Sequence, residues 1–294
     1  MKNATLNTVK SSTTDILNWG VSMVQEIHPI TQAKLPYWAT MRSDSQEILK
    51  TGLSKNYVPI QNSEIIKLAE SLSKDFDIKT EKVEVLNGGK KIILQVTSGI
   101  AEIGHSLKNG QKDTIALRTT FLHDNTGSGS LFYTPSPFRL LCLNQLAVIS
   151  NLASRYIADV TTRSIRHTQA GQFQLSEILN TANSIYQNGI ETVNLYNKMA
   201  ETKVNDFDIK EIVESMVKKM DYDLQVQQEI ERLIFEADSG LTDPNSLWGV
   251  YNGVTRFHDH FGGRNNPSTN SLVFGAIAKK NTLALDTILN YMVV

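Results

Sequence analysis

The chain has 294 residues, 40% apolar and 20% charged, with 29 basic against 30 acidic side chains and a formal net charge of −1. That length excludes a small disulfide- or metal-stapled domain and allows a large core or two coupled ones. The near-zero charge excludes bulk attraction to nucleic acid, so any nucleic-acid surface must be local. The single cysteine excludes an internal disulfide and a cysteine-based zinc site. No apolar run reaches the roughly eighteen residues of a membrane span, and the start, Met1-Lys-Asn-Ala-Thr5, lacks the layout of a signal peptide. A cytoplasmic, reducing location and no membrane partner are expected.

Thr14 to Glu26 reads as a helix through Ile16, Leu17, Trp19, Val21 and Val24. Leu35-Pro-Tyr-Trp-Ala39 is apolar and aromatic and suits either an exposed arm or a core contact, so residues 1–54 read as a helical or extended arm. Tyr57-Val-Pro-Ile60 is extended, and Asn62 is a good N-cap for a helix through Leu72. Lys82 to Leu86 and Lys91 to Val96 alternate around Asn87-Gly-Gly89, the strongest hairpin signal in the chain. A polar loop, Glu102 to Asp113, leads to a second strand pair: Thr114 to His123, then the turn Asp124-Asn-Thr-Gly-Ser-Gly129, then Leu131 and Tyr133. Pro135 and Pro137 stop that strand. From Phe138 the period turns helical through Leu141, Cys142, Leu146, Ile149, Leu152 and Ile157, and a basic segment, Arg163 to Thr168, follows.

Two hairpins and a long helix predict an α+β fold: a central antiparallel sheet of about four strands packed on that helix over residues 55–170. Phe173 to Met199, Asp208 to Met220, Gln225 to Ala237, Asn245 to His258 and Ser271 to Tyr291 all read helical, so 171–294 is expected to be an all-helical region packed on the core. Asp208 with Glu211 has capping-box spacing, and Asp243-Pro244 reads as a cap and first turn.

Three constellations carry possible chemistry. Arg118, Arg139, Arg155, Arg163, Arg166 and His167 form a basic set suited to phosphate, because the guanidinium fork bonds phosphate oxygens in pairs. Tyr133 and Phe138 stand near as base-stacking rings. The plain alternative is a set of solvated arginines paired with the acid-rich tail helices. Second, His258-Asp-His260, near Arg264, offers imidazole and carboxylate to a metal. Neighbours on a helix point about 100° apart, however, and a helix C-terminus ended by Gly262-Gly263 is the favoured reading. Third, Gly127-Ser-Gly129 lacks the spacing and Lys-Ser/Thr of a phosphate loop and reads as a turn. Cys142 reads as a buried, inert thiol. No cofactor is expected.

Several pieces together resemble one family: Asn56-Tyr-Val-Pro-Ile-Gln-Asn62, Leu122 to Gly129, Thr134-Pro-Ser-Pro-Phe-Arg-Leu-Leu-Cys-Leu-Asn144, Ile165-Arg-His-Thr168, and Trp248-Gly-Val-Tyr-Asn-Gly-Val-Thr255 followed by Asp259-His260. They are similar to the signatures of phage/plasmid-like proteins containing domain of unknown function 932, with a proline added near the signature and Gly253 where a small residue such as alanine is usual. The resemblance implies a phage- or plasmid-encoded protein in a bacterial cytoplasm and supplies no catalytic residue. Its signature residues, Arg139, Cys142, Asn144, Arg166, His167, Asn252, Asp259 and His260, suit either function or a buried polar network, and the second is the reading for Asn144 and Asn252. The order hairpin, hairpin, long helix is also similar, at the level of architecture alone, to single-strand annealing proteins.

The leading expectation is a protein that binds single-stranded nucleic acid and assembles with its own copies, in annealing or recombination. One alternative is a metal-dependent nucleic-acid-processing enzyme using His123, Asp124, His167, Asp259 and His260. The other is a non-enzymatic structural or host-interaction protein. Binding ranks above catalysis, because no acid–base pair stands at a readable spacing.

Overall fold

The computed structural model describes residues 13–74, 79–107, 112–127, 129–140, 163–168, 182–236, 242–262, 267–273 and 275–292. It is an α+β chain whose N-terminal part holds two antiparallel sheets and whose C-terminal part is helical. The chain divides into two compact units. The first is residues 1–98, 119–134 and 162–183; the second is 99–118, 135–161 and 184–294.

In the first unit a short helix α1 (Thr13–Ile16) precedes a three-stranded sheet of β1 (Val21–Ile27), β2 (Lys34–Arg42) and β3 (Ile48–Leu53), in the order β1-β2-β3. The helix expected over 14–26 is therefore helical only to Ile16, and its second half is a strand. Its apolar residues fit a helical stripe, but Val21 to Gln25 pair with Arg42 to Trp38, and β2 carries the aromatic and β-branched residues that favour a pleated surface. Helix α2 (Asn62–Lys74) is where the sequence puts it, but its cap is Gln61. The Glu64 carboxylate accepts the Gln61 backbone N–H at 2.7 Å, while the Asn62 side chain donates to the Trp19 carbonyl at 2.8 Å.

The second sheet runs β4-β5-β6-β7-β9, with β8 also on β6: β4 (Lys79–Leu86), β5 (Lys91–Ser106), β6 (Lys112–Asp124), β7 (Leu131–Pro135), β8 (Phe138–Arg139) and β9 (Arg163–Ile165). The hairpin at Asn87–Gly89 is confirmed, with Leu86 opposite Lys91. Asn87, Gly88 and Gly89 all have positive φ, and a Cβ on Gly89 would lie 2.8 Å from the Trp19 ring, so glycine fits there on two counts. The loop expected over 102–113 is shortened, because β5 continues to Ser106 and β6 begins at Lys112. Phe138 and Arg139, expected to open a helix, form the short strand β8 opposite Ala116 and Ile115. The remainder of that expected helix lies outside the described residues.

The second unit is built on α3 (Ala182–Glu201), α4 (Asp206–Lys219), α5 (Leu224–Glu236), α6 (Leu247–Arg256), α7 (Thr269–Val273) and α8 (Ala276–Tyr291). Its core gathers Tyr196, Met199, Ile212, Met216, Ile234, Trp248, Tyr251, Leu285 and Ile288 around Ile115 and Leu117 of β6. Two caps fall a few residues from their expected places. Asn205 caps α4 in a box with Asp208, and Ser246, not Asp243, caps α6 by accepting the Gly249 N–H. No described helix is long and apolar enough to cross a membrane.

Gly253 lets α6 approach α5 closely, for a Cβ there would lie 2.3 Å from Ile234 Cγ1 and 2.9 Å from Ile234 Cα. Gly253→Ala is expected to destabilise the chain by about 1–3 kcal/mol through overpacking. Ile234→Ala, destabilising alone, should recover part of that loss in the double variant; urea unfolding measures both.

Candidate functional site

The strand β6 carries a buried ion pair in the second unit. Arg139, with no exposed surface, donates from Nε to both oxygens of Asp113 at 3.0 Å and from Nη2 to Asp113 Oδ2 at 2.7 Å. Its Nη2 also reaches Thr242 Oγ1 at 2.8 Å, the Trp248 indole N–H donates to Asp113 Oδ2 at 2.9 Å, and the guanidinium lies 5.6 Å from the Trp248 ring. Every strong donor direction of Arg139 is thus turned to the interior. The arginine expected to contact phosphate joins β8, β6 and α6 instead. Arg118 is half-buried, with its guanidinium carbon 4.0 Å above the Phe138 ring.

In the first unit, Tyr133 is buried against Phe121, their ring centres 6.1 Å apart, so it packs rather than presenting a ring for base stacking. The Arg163 backbone pairs with Tyr133 across β7 and β9, and Arg166, just beyond β9, is exposed. Arg155, Cys142, Asn144 and Arg264 lie outside the described residues.

Three motif segments of the first unit converge on His167. The Tyr57 and His167 rings stack with centres 5.1 Å apart, and the His123 and His167 rings stack at the same separation. The Ile60 backbone N–H donates to His167 Nδ1 at 3.4 Å, which makes Nδ1 the acceptor. The Tyr57 hydroxyl, 2.8 Å away, then donates to it as well, and the ring proton sits on Nε2. The Val58 N–H donates to the His167 carbonyl at 3.0 Å. His123 is fully buried, and neither ring nitrogen makes a hydrogen bond of normal geometry; Asn125 and the Ile60 backbone are its weak partners. Burial, with the neighbouring His167, pushes His123 down to about 3, and burial pushes His167 down to about 4. Both are neutral imidazoles at physiological pH. Burial and the Asp124 charge raise the Tyr57 hydroxyl.

The adjoining turn explains its own sequence. Asp124 accepts the Thr126 N–H at 2.7 Å and the Thr126 hydroxyl, and a Cβ on Gly129 would collide with Asp124 at 2.8 Å. Gly127, at φ +71°, packs on Leu53 and Tyr57. The Asn125 amide donates to the Gly89 carbonyl, its N–H to the Lys90 carbonyl, and its own carbonyl accepts the Thr40 hydroxyl, at 2.9, 2.9 and 3.0 Å. One turn thereby ties the three-stranded sheet to the β4–β5 hairpin. Lys55 lies two residues before Tyr57, the Lys90 carbonyl accepts from Asn125, and Arg166 precedes His167; all three are exposed, and the Lys91 ammonium is 4.0 Å from Asp124. Sequence reasoning did not single out the lysines, since Lys55 and Lys90 in turns and Lys91 at the start of β5 carry no motif.

The tract His258 to His260 lies in a π-type turn, Phe257–Phe261, that continues α6 and closes with the Gly262 N–H on the Phe257 carbonyl at 2.7 Å. His258 is buried, with Nδ1 2.5 Å from Asn281 Oδ1, and burial pushes it down to about 4; Asp259 is buried as well, and His260 is exposed. The two imidazoles face different surroundings. Among the described residues no three His, Cys, Asp or Glu side chains gather as metal ligands. His123, Asp124 and His167 belong to the first unit, Asp259 and His260 to the second. Asn252 is buried in α6 and donates to the Trp248 carbonyl at 2.8 Å, a helix-internal bond.

A family model described as Domain of unknown function (DUF932) matches residues 51–282. No curated protein and no solved structure matches the chain.

The three buried histidines set a pH dependence. Their folded values lie below the usual 6.5, so the unfolded chain binds more protons between that value and about 4. Stability is full above pH 6.5 and falls as the pH drops, by about 1.4 kcal/mol per unit for each histidine until its folded value is reached. Urea unfolding across that window should show the decline. His123→Gln and His167→Gln should flatten it.

Proposed function

The chain belongs to the DUF932 family, and we propose that it is a non-catalytic protein, phage- or plasmid-encoded, that binds single-stranded nucleic acid and assembles with its own copies. The observation that carries this reading is that Lys55, Lys90, Lys91 and Arg166 are close in the chain to, or paired with, residues of the buried turn and ring stack of the first unit, and that Lys55, Lys90 and Arg166 are exposed. Cations on a hydrogen-bonded scaffold bind a phosphate backbone with little ordering cost, and such contacts position the strand without reading its sequence. The charge balance supports the same face: the first unit holds more Lys and Arg than Asp and Glu, the second the reverse. Arg139 and Tyr133 have no part in this surface.

An enzymatic reading would rest on His123, Asp124 and His167, which do lie in one unit. Asp124 is occupied in holding its own turn, and both imidazoles are buried, His167 stacked on Tyr57 and His123 and His123 on His167, which suits packing better than proton transfer to a substrate.

Fluorescence anisotropy with a labelled single-stranded oligonucleotide, and a duplex of equal length, tests the proposal at low and physiological salt. Affinity for the single strand should fall steeply with salt, and Arg166→Ala and Lys90→Ala should each weaken it and lower the salt slope by roughly one. No binding at low salt, or variants that bind like the parent, would refute it.

A further inference from the structure

Among the described residues, besides the two-residue β8 on β6, the two sheets have four edge strands, and three of them are blunted against further pairing. β4 carries Lys79, Glu81, Lys82 and Glu84, β9 has three residues, and β3 combines Lys50 with a positive-φ Gly52 and irregular register. The fourth, β1, reads Val-Ser-Met-Val-Gln-Glu-Ile and pairs without a break from Val21 to Gln25. Its one charge, Glu26, sits at the bulge and accepts the Gly52 N–H.

The outward backbone groups of β1 can be assigned. Val21 donates its N–H to the Gln61 side-chain oxygen at 2.9 Å, and its carbonyl accepts the Gln61 amide at 2.9 Å. Both groups of Val21 therefore face away from β2. Antiparallel pairs alternate, so Met23 and Gln25 also turn their N–H and C=O outward, while Ser22 and Val24 turn theirs to β2. The Gln61 carboxamide is itself a peptide-like group bonded at two points, in the manner of a neighbouring strand.

We propose that the free edge of β1 pairs antiparallel with β1 of a second copy, with Val24 on the two-fold axis. In this register Met23 of each copy exchanges both backbone bonds with Gln25 of the other. The alternative, centred on Met23, keeps only the Met23 pair clear of Val21, whose outward groups Gln61 already holds, against two hydrogen-bonded pairs in the register centred on Val24. Charge suits a second copy: each Glu26 falls opposite a neutral Ser22, and no like charges meet. Val24 and Ile27, 38% and 53% exposed, and Tyr37 of β2, 52% exposed, supply apolar surface beside the junction. The contact is isologous and closes at two copies. It names the surface for the self-assembly part of the proposed function and rests on that reading.

The test is sedimentation of the full chain, with and without a single-stranded oligonucleotide, and oxidative cross-linking in a Cys142→Ser background. Val24→Lys should raise the dimer dissociation constant at least roughly tenfold, and an equimolar mixture of Val24→Lys and Val24→Glu chains should restore the dimer. Met23→Pro removes only an outward N–H and should also dissociate it, with circular dichroism unchanged. Val24→Cys should cross-link efficiently, since facing residues in a non-hydrogen-bonded pair lie about 4.5 Å apart at Cα, within disulfide reach; Gln25→Cys, whose partner is Met23, should not. An oligomer indifferent to these variants overturns the β1 contact and leaves self-assembly standing. A chain that stays monomeric both alone and on the oligonucleotide overturns both.

Discussion

The second unit depends on one buried ion pair. Asp113 and Arg139 have almost no exposed surface, and burying two charges costs several kcal/mol each unless every donor and acceptor is met. Here the demand is met by two strands and a helix together: β6 brings Asp113, β8 brings Arg139, and α6 brings the Trp248 N–H, with Thr242 completing the guanidinium. Such a network tolerates little displacement, so it fixes where α6 docks on the strands. Around it Tyr196, Trp248 and Tyr251 pack as a mutual cluster with ring centres 5.1 to 6.2 Å apart.

The first unit solves the same problem with neutral groups. His123 and His167 are kept uncharged by burial, stacked in series with Tyr57, and the turn beside them is closed by Asp124 and Asn125. Motif pieces far apart in the chain meet there because Tyr57 and Ile60 hydrogen-bond His167 and the His123 ring stacks on it.

The sequence made part of this legible. The Asn87-Gly-Gly89 hairpin, helix α2 and the helices of the C-terminal part follow from local chemistry, and each is present. The three-stranded sheet was not legible, because Ile16, Leu17, Val21 and Val24 fit a helical stripe as well as a strand, and only pairing with β2 decides. Arg139 shows the corresponding limit for sites. An arginine in a basic stretch looks available to a ligand, and nothing local announces that Asp113, earlier in the chain, binds the edge of its guanidinium and that the Trp248 ring, far beyond it in sequence, lies 5.6 Å away. Glycines told more: Gly127 and Gly129 fit their turn for steric reasons visible only once Tyr57 and Asp124 are in place.

The most direct test of this account is a double-mutant cycle on the buried pair, with Arg139→Met, Asp113→Asn and the double variant compared by urea unfolding. The account predicts that Arg139→Met loses about 3–5 kcal/mol, because it leaves a buried carboxylate without its cation, and that the double variant loses far less than the sum of the two singles. Strict additivity, or an Arg139→Met chain within about 0.5 kcal/mol of the parent, would contradict the assignment of Arg139 to the fold and return it to the surface.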